Sequence, residues 1–167
     1  MAAAPRKTLL IKQALSVQTR LANDIENEFN PTPPHFRDRA VCEKHKADFP
    51  NAMPRTESPT YGYNCHGLTF AARRTQVWSS TDIQHILRED GYKEVQLRDA
   101  LPGDVAIYRS RETAEIEHSA VVIQKATTGD FKGPLVISKW GPCQEFIHFY
   151  LECPYTPADV TFHRLRI

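Results

Sequence analysis

The chain has 167 residues, with 21 basic and 20 acidic side chains and a formal net charge of +1 at pH 7. That length suits one domain able to bury its own core. The balanced charge argues against a nucleic-acid surface or a polybasic membrane patch, and no apolar run approaches the length of a membrane span.

Arg6-Lys7 followed by Leu9-Leu10-Ile11 has the outline of a signal peptide. Lys12 and Gln13 cut that run short and no small-residue cleavage site follows, so a cytoplasmic chain is expected, with delivery by a specialised secretion system as the other route. Thr8 to Phe29 is expected to be an amphipathic helix, because Leu10, Ala14, Val17, Leu21 and Ile25 recur at helical spacing and Asn30-Pro31 stops the pattern. This helix would pack on the domain or serve as an arm for a partner protein. The next stretch, 31–59, holds Pro31, Pro33, Pro34, Pro50, Pro54 and Pro59. Proline fixes φ and lacks an N–H, so this stretch should wrap the domain as ordered irregular chain, with a short helix near Asp38–Lys46.

Order increases from residue 60. A helix is expected over Gly67–Trp78, burying Leu68, Ala71, Ala72 and Thr75. A second helix is capped by Ser80-Thr81-Asp82 and ended by Gly91. Strand signals then occupy Asp104–Tyr108, Ile116–Gln124, Leu135–Trp140, Phe146–Leu151 and Val160–Leu165. Helices followed by a run of strands define an α+β class: N-terminal helices packed on an antiparallel sheet of about five strands. The chain is read as a single domain, 1–167, with an N-terminal helix and Pro-rich wrap over 1–59 and a catalytic core over 60–167.

The cysteines Cys42, Cys65, Cys143 and Cys153 form no C-x-x-C pair, which argues against a structural zinc site. Reduced thiols are the default for a chain of this kind, with a Cys143–Cys153 bridge across a strand pair as the alternative.

Cys65 stands out within Tyr61-Gly62-Tyr63-Asn64-Cys65-His66-Gly67-Leu68. A cysteine opening a helix is helped toward thiolate by the dipole and the unpaired N–H groups, and an imidazole is its usual base. His66 is adjacent in sequence, and neighbours at a helix start point about 100° apart, so it reads as a groove or first-turn residue. His118, on a later strand and sharing a face with Ala120 and Val122, is the better base. The orienting third group is expected at Ser138 on the next strand, with His148 and Asp130 as rivals. The oxyanion would be held by the Cys65 N–H and an upstream donor, for which Tyr61, Tyr63 and Asn64 are candidates. Gly67 would let the backbone approach a bound group. His35, His45, His85 and His163 read as bland.

Together these residues resemble the compact papain-like hydrolases of the NlpC type and their CHAP amidase cousins. Asn64-Cys65-His66-Gly67-Leu68 is similar to that superfamily's Asp-Cys-Ser-Gly-Leu, Pro102-Gly103-Asp104-Val105 to its Pro-Gly-Asp turn, and His118-Ser119-Ala120-Val121 to its histidine strand. The likeness covers roughly residues 60 to 140. Asn64 replaces the usual aspartate, Ser138 stands where relatives more often carry histidine, asparagine or an acid, and Pro59 stands where papain-type enzymes proper carry a glutamine. The resemblance implies amide hydrolysis through a thioester, with Cys65 attacking and His118 moving the proton. A peptidoglycan stem peptide is the implied substrate, as for a toxin or effector. An intracellular protease, deamidase or acyltransferase is the alternative enzyme, and a peptide- or partner-binding module the non-enzyme alternative. No metal or organic cofactor is implied.

Overall fold

The structure is a computed structural model that describes residues 15–125 and 133–166. Its elements run α1 (Phe36–Asp48), β1 (Met53–Pro54), α2 (Cys65–Phe70), α3 (Ser80–Glu89), β2 (Tyr92–Val95), a 3₁₀ turn (Leu97–Asp99), β3 (Val105–Arg109), β4 (Ile116–Gln124), β5 (Leu135–Lys139), β6 (Glu145–Phe149) and β7 (Asp159–Leu165). The class is α+β. The strands form one antiparallel sheet in the order β1-β6-β5-β4-β3-β7-β2.

The sheet has seven strands where about five were expected. The two extra ones are short edge strands. Met53–Pro54, inside the Pro-rich wrap, pairs with Ile147 and Phe146 and so draws the wrap into the sheet. Proline sits there at an edge, where its missing donor breaks no central ladder. Tyr92–Val95 pairs with β7 at the other edge.

Alternation along the strands builds two apolar layers. On one face Val105 and Ile107 meet Ile83, Ile86 and Leu87 of α3, together with Ile25, Ala71 and Val77. On the other, Ala106, Tyr108, Ala120, Val122, Val136, Phe146 and Phe162 pack with Trp140 and Cys42. The helix α3 ends as expected, with Gly91 after it at φ +85°, but its cap is one residue earlier than expected: Ser79 accepts from the Asp82 N–H and Ser80 is the first helical residue.

Two expected helices are corrected. The described part of Thr8–Phe29 is not helical. Residues 15–29 turn back on themselves through a Gln18–Asp24 bridge and bond Glu28 to Gln76 in a second bridge. The Asn27 side chain takes the Leu15 N–H and gives to the Leu15 and Ile25 carbonyls, so a short polar side chain has replaced the helical ladder. Leu21, part of the expected stripe, is exposed, whereas Ile25 is buried. The remainder of that stretch, 8–14, lies outside the described residues. The helix expected over Gly67–Trp78 instead spans Cys65–Phe70 and ends where both Ala71 and Arg73 donate to the Gly67 carbonyl. Ala72 and Arg73 then take positive φ, 49° and 65°, and the chain leaves the helix.

The cysteines also differ from expectation. Cys42 of α1 is bonded to Cys143 in the β5–β6 connection, while Cys65 and Cys153 are free and buried. Cys42 is the one buried residue of α1, so this covalent link is the main tie between that helix and the sheet.

Candidate active site

The start of α2 is set by Asn64. Its amide oxygen accepts from the Gly67 N–H at 2.8 Å and the Val77 N–H at 3.1 Å, and its amide nitrogen donates to the Val77 carbonyl at 2.6 Å. An aspartate at this position would cap the helix but place an anion against the Val77 carbonyl, which explains the amide here. Gly67 serves the same packing: a Cβ there would lie 1.8 Å from the Thr75 carbonyl oxygen. The close approach it permits is to the chain's own backbone, not to a bound group.

Asn64 thereby fixes Cys65 against the sheet. The β4–β5 ladder pairs Val121, Val122 and Gln124 with Ile137, Val136 and Leu135, and stops there, so the two strands part toward Ser119 and Lys139. The helix that Cys65 opens packs against both of these strands. Burial pushes the Cys65 thiol up to about 11, while the backbone N–H groups of Ser119, His66 and Cys65 and the Lys139 charge act in the opposite direction. Cys65 is therefore a protonated thiol in this conformation, surrounded by donors.

The β4 side chain that meets α2 is Ser119, whose hydroxyl lies 2.9 Å from His66 Nδ1 and donates to Thr69 Oγ1 at 3.0 Å. His66 is buried and neutral, its pKa lowered to about 4 by burial. Because side chains alternate across a strand, His118 faces the other layer, beside Tyr108 and under Tyr155. His118 is fully buried, and neither ring nitrogen has a hydrogen-bond partner among the described residues. It is thus not hydrogen-bonded to Cys65. Burial, followed by the charges of His148 and His66, holds its pKa well below the usual histidine range.

Ser138 and His148 are brought together, Oγ to Nε2 at 2.8 Å, and Trp140 Nε1 donates to Ser138 at 3.1 Å. His148 Nδ1 is 2.8 Å from the Phe149 carbonyl, so this imidazole is a satisfied buried group, lowered to about 4 mainly by burial. Neither bonds to His118. Asp130 lies outside the described residues.

A second cluster was not foreseen. Lys139 is fully buried and donates to the Gly141 and Cys143 carbonyls, each at 2.7 Å, with Nζ 5.3 Å from the centre of the Tyr63 ring. Its cross-strand neighbour Glu145 accepts from Tyr63 Oη at 2.7 Å and from Arg73 Nε and Nη2 at 2.6 and 3.1 Å. Arg73 reaches Glu145 from a positive-φ position, a strained conformation of the kind found near functional sites. The sequence signal is a lysine that ends one strand and a glutamate that opens the next, on either side of a short connection, a spacing that pairs them across a hairpin.

Tyr61, Tyr63 and Asn64 line a cleft of about 350 Å³ with Glu28, Asn30, Gln76, Trp78, Gly141 and Pro142. Trp78 is 65% exposed there, a large apolar surface with no packing duty. The Gln76 amide donates to the Tyr61 carbonyl, and the Tyr61 hydroxyl to Asp38 of α1. His66 is not part of this wall. Among the described residues no group of three His, Cys, Asp or Glu side chains gathers to hold a metal, and no helix is long and apolar enough to cross a membrane. No family model matches the chain, and neither a curated protein nor a solved structure matches it.

Proposed function

We propose that this protein is a cysteine-dependent amide hydrolase of the papain-like type and that it cleaves peptidoglycan stem peptides as a toxin or effector. The observation that carries the reading is the setting of Cys65: a free thiol at the start of a capped helix, surrounded by N–H donors, one residue from the wall of an aromatic cleft. In the proposed reaction the Cys65 sulfur attacks the amide carbonyl, the C–N bond breaks, the amine leaves with a proton, and water then hydrolyses the thioester. His118 is the proton carrier. Its two unpartnered, buried nitrogens support this role, since a histidine kept for packing is ordinarily hydrogen-bonded. Ser138, bonded to His148 and Trp140, has no bond to His118 and is given no step in this reaction.

The Cys42–Cys143 bond supports action in an oxidising compartment, because such bonds are rare where thiols are kept reduced. A bacterial envelope fits that condition better than a cytoplasm. The burial of both Cys65 and His118 favours a second reading, a peptide-binding module that uses the cleft without chemistry. Incubating the protein with peptidoglycan fragments and with cell lysate decides between them. New amines or shortened stem peptides, absent with Cys65→Ala, are expected. Modification of a lysate protein alone would move the substrate to the intracellular alternative, and a Cys65→Ala variant that keeps the biological effect would favour the binding module.

A further inference from the structure

Lysine is among the residue types that are almost never fully buried unless paired. Lys139 is fully buried, and the nearest carboxylate across the strand pair is already engaged. Glu145 is held by two bonds from Arg73 and one from Tyr63, and those opposite charges cancel. Among the described residues the Lys139 ammonium makes no ion pair; its two bonds go to neutral carbonyls. An ammonium has three donors, so one N–H remains. A net charge of +1 is thus left in the interior, a costly arrangement unless an anion can form beside it.

The acid able to form that anion is Cys65. Tyr63, whose ring lies under the Lys139 ammonium, precedes it by two residues, and α2, which Cys65 opens, packs against β5, whose last residue is Lys139. The groups that act on the thiol are the backbone N–H groups of His66 on α2 and Ser119 on β4, and Lys139 on β5; Tyr155 over His118 is also nearby, and Glu145 on β6, with its partners Tyr63 and Arg73, faces Lys139. His66 and His118 are both held neutral by burial, and Arg73 is neutralised by Glu145. We propose that the ammonium of Lys139 is the counter-charge of the Cys65 thiolate and a positioning residue for it. In the resting protein burial brings the ammonium down to about 8, with Cys65 and Glu145 acting to raise it, so it keeps its charge at neutral pH. This role rests on reading Cys65 as the nucleophile and assigns the thiolate's stabilisation to a lysine, leaving His118 the proton alone.

The test is the alkylation rate of Cys65 by iodoacetamide from about pH 6 to 10, followed by mass spectrometry, in two variants of opposite charge effect. Lys139→Met should move the Cys65 profile up by about one pH unit or more, slowing reaction at neutral pH by about tenfold. Glu145→Gln should move it down, since the same cluster then carries more positive charge. A purely structural role would not give shifts of opposite sign. An unchanged or lowered profile in Lys139→Met, or a raised one in Glu145→Gln, overturns the proposal, and if Lys139→Met fails to fold, Glu145→Gln decides alone. Because the readout is thiol chemistry, it is separate from turnover. A Cys65→Ala variant with full biological effect would remove the enzyme reading whatever the profile, and a flat profile in an active enzyme would remove only the role of Lys139.

Discussion

Tyr155 lies flat on His118, with ring centroids 3.9 Å apart and planes inclined by 17°. The segment after β6 thus returns over the strand that carries the histidine and shuts it from water. The seal explains why an imidazole with no hydrogen-bond partner stays neutral.

Tyr155→Ala should remove this cover. The His118 pKa, read by NMR titration, is expected to rise toward the ordinary 6.5, and stability should fall by about 2–3 kcal/mol, less than for a fully enclosed ring. Tyr155→Phe keeps the ring and should leave the titration unmoved. A His118 that titrates identically in the alanine variant would show that the seal lies elsewhere.

Asn64 carries three bonds, two to backbone N–H groups and one to a carbonyl. Asn64→Ala loses the cap and leaves buried backbone groups unpaired, with an expected cost of about 2–3 kcal/mol in urea unfolding. Asn64→Asp keeps the acceptor and should cost less, but still more than nothing, because its carboxylate faces the Val77 carbonyl. Equal stability of all three proteins would contradict the capping account.

Much of the fold was legible in local pattern. The run Ile116–Gln124 has the bounds that its β-branched and apolar composition implies, and α3 is legible from its closing glycine and from a cap that lies one residue earlier, at Ser79, than the Ser80-Thr81-Asp82 signal. The stretch 15–29 was misread because periodicity alone does not reveal that Asn27 will take the backbone bonds of Leu15. That Cys65 opens a helix is legible in the sequence, although that helix ends at Phe70 and not at Trp78, and Tyr61, Tyr63 and Asn64 stand together in a cleft. Lys139, Glu145 and Tyr155 were not legible, since their roles depend on which distant strand or loop meets the end of β4. The Cys42–Cys143 bond, across a separation of 101 residues, depends on tertiary proximity that spacing cannot give.

Acid should destabilise the fold. His66 and His148 are both lowered to about 4 by burial, below the 6.5 of the unfolded chain. Between those values the unfolded state binds protons that the folded state refuses, so stability falls as pH drops from about 6.5 and flattens, for these two groups, near 4. For these two groups the loss at pH 5 relative to pH 7 is expected to be about 2–4 kcal/mol, and His118, also held low, adds to it; urea midpoints measure the sum. Midpoints that do not fall would contradict the neutral, buried state of both rings.

Reduction of Cys42–Cys143 should free α1, which buries only Cys42. Closing so long a loop stabilises by about 2–5 kcal/mol, so a reductant should lower Tm by about 5–15 °C. Double substitution of both cysteines by serine should reproduce the reduced Tm. A Tm insensitive to reductant would show that α1 is held by other contacts.

The central claim is that Cys65 is a poised nucleophile, and Cys153 is its internal control. Both are free, both are buried, and burial pushes both up to about 11. They differ in what surrounds the sulfur: Cys65 has a helix start, three N–H groups and the Lys139 charge, whereas Cys153 has the Tyr155 backbone and the repulsive charge of Glu117. Competitive alkylation of the native, oxidised protein at pH 7.5, read as the ratio of Cys65 to Cys153 labelling by mass spectrometry, tests the difference directly. The account predicts faster labelling of Cys65, because a thiolate there meets N–H groups and the Lys139 charge while one at Cys153 meets the charge of Glu117. Equal labelling, or faster labelling of Cys153, would contradict it.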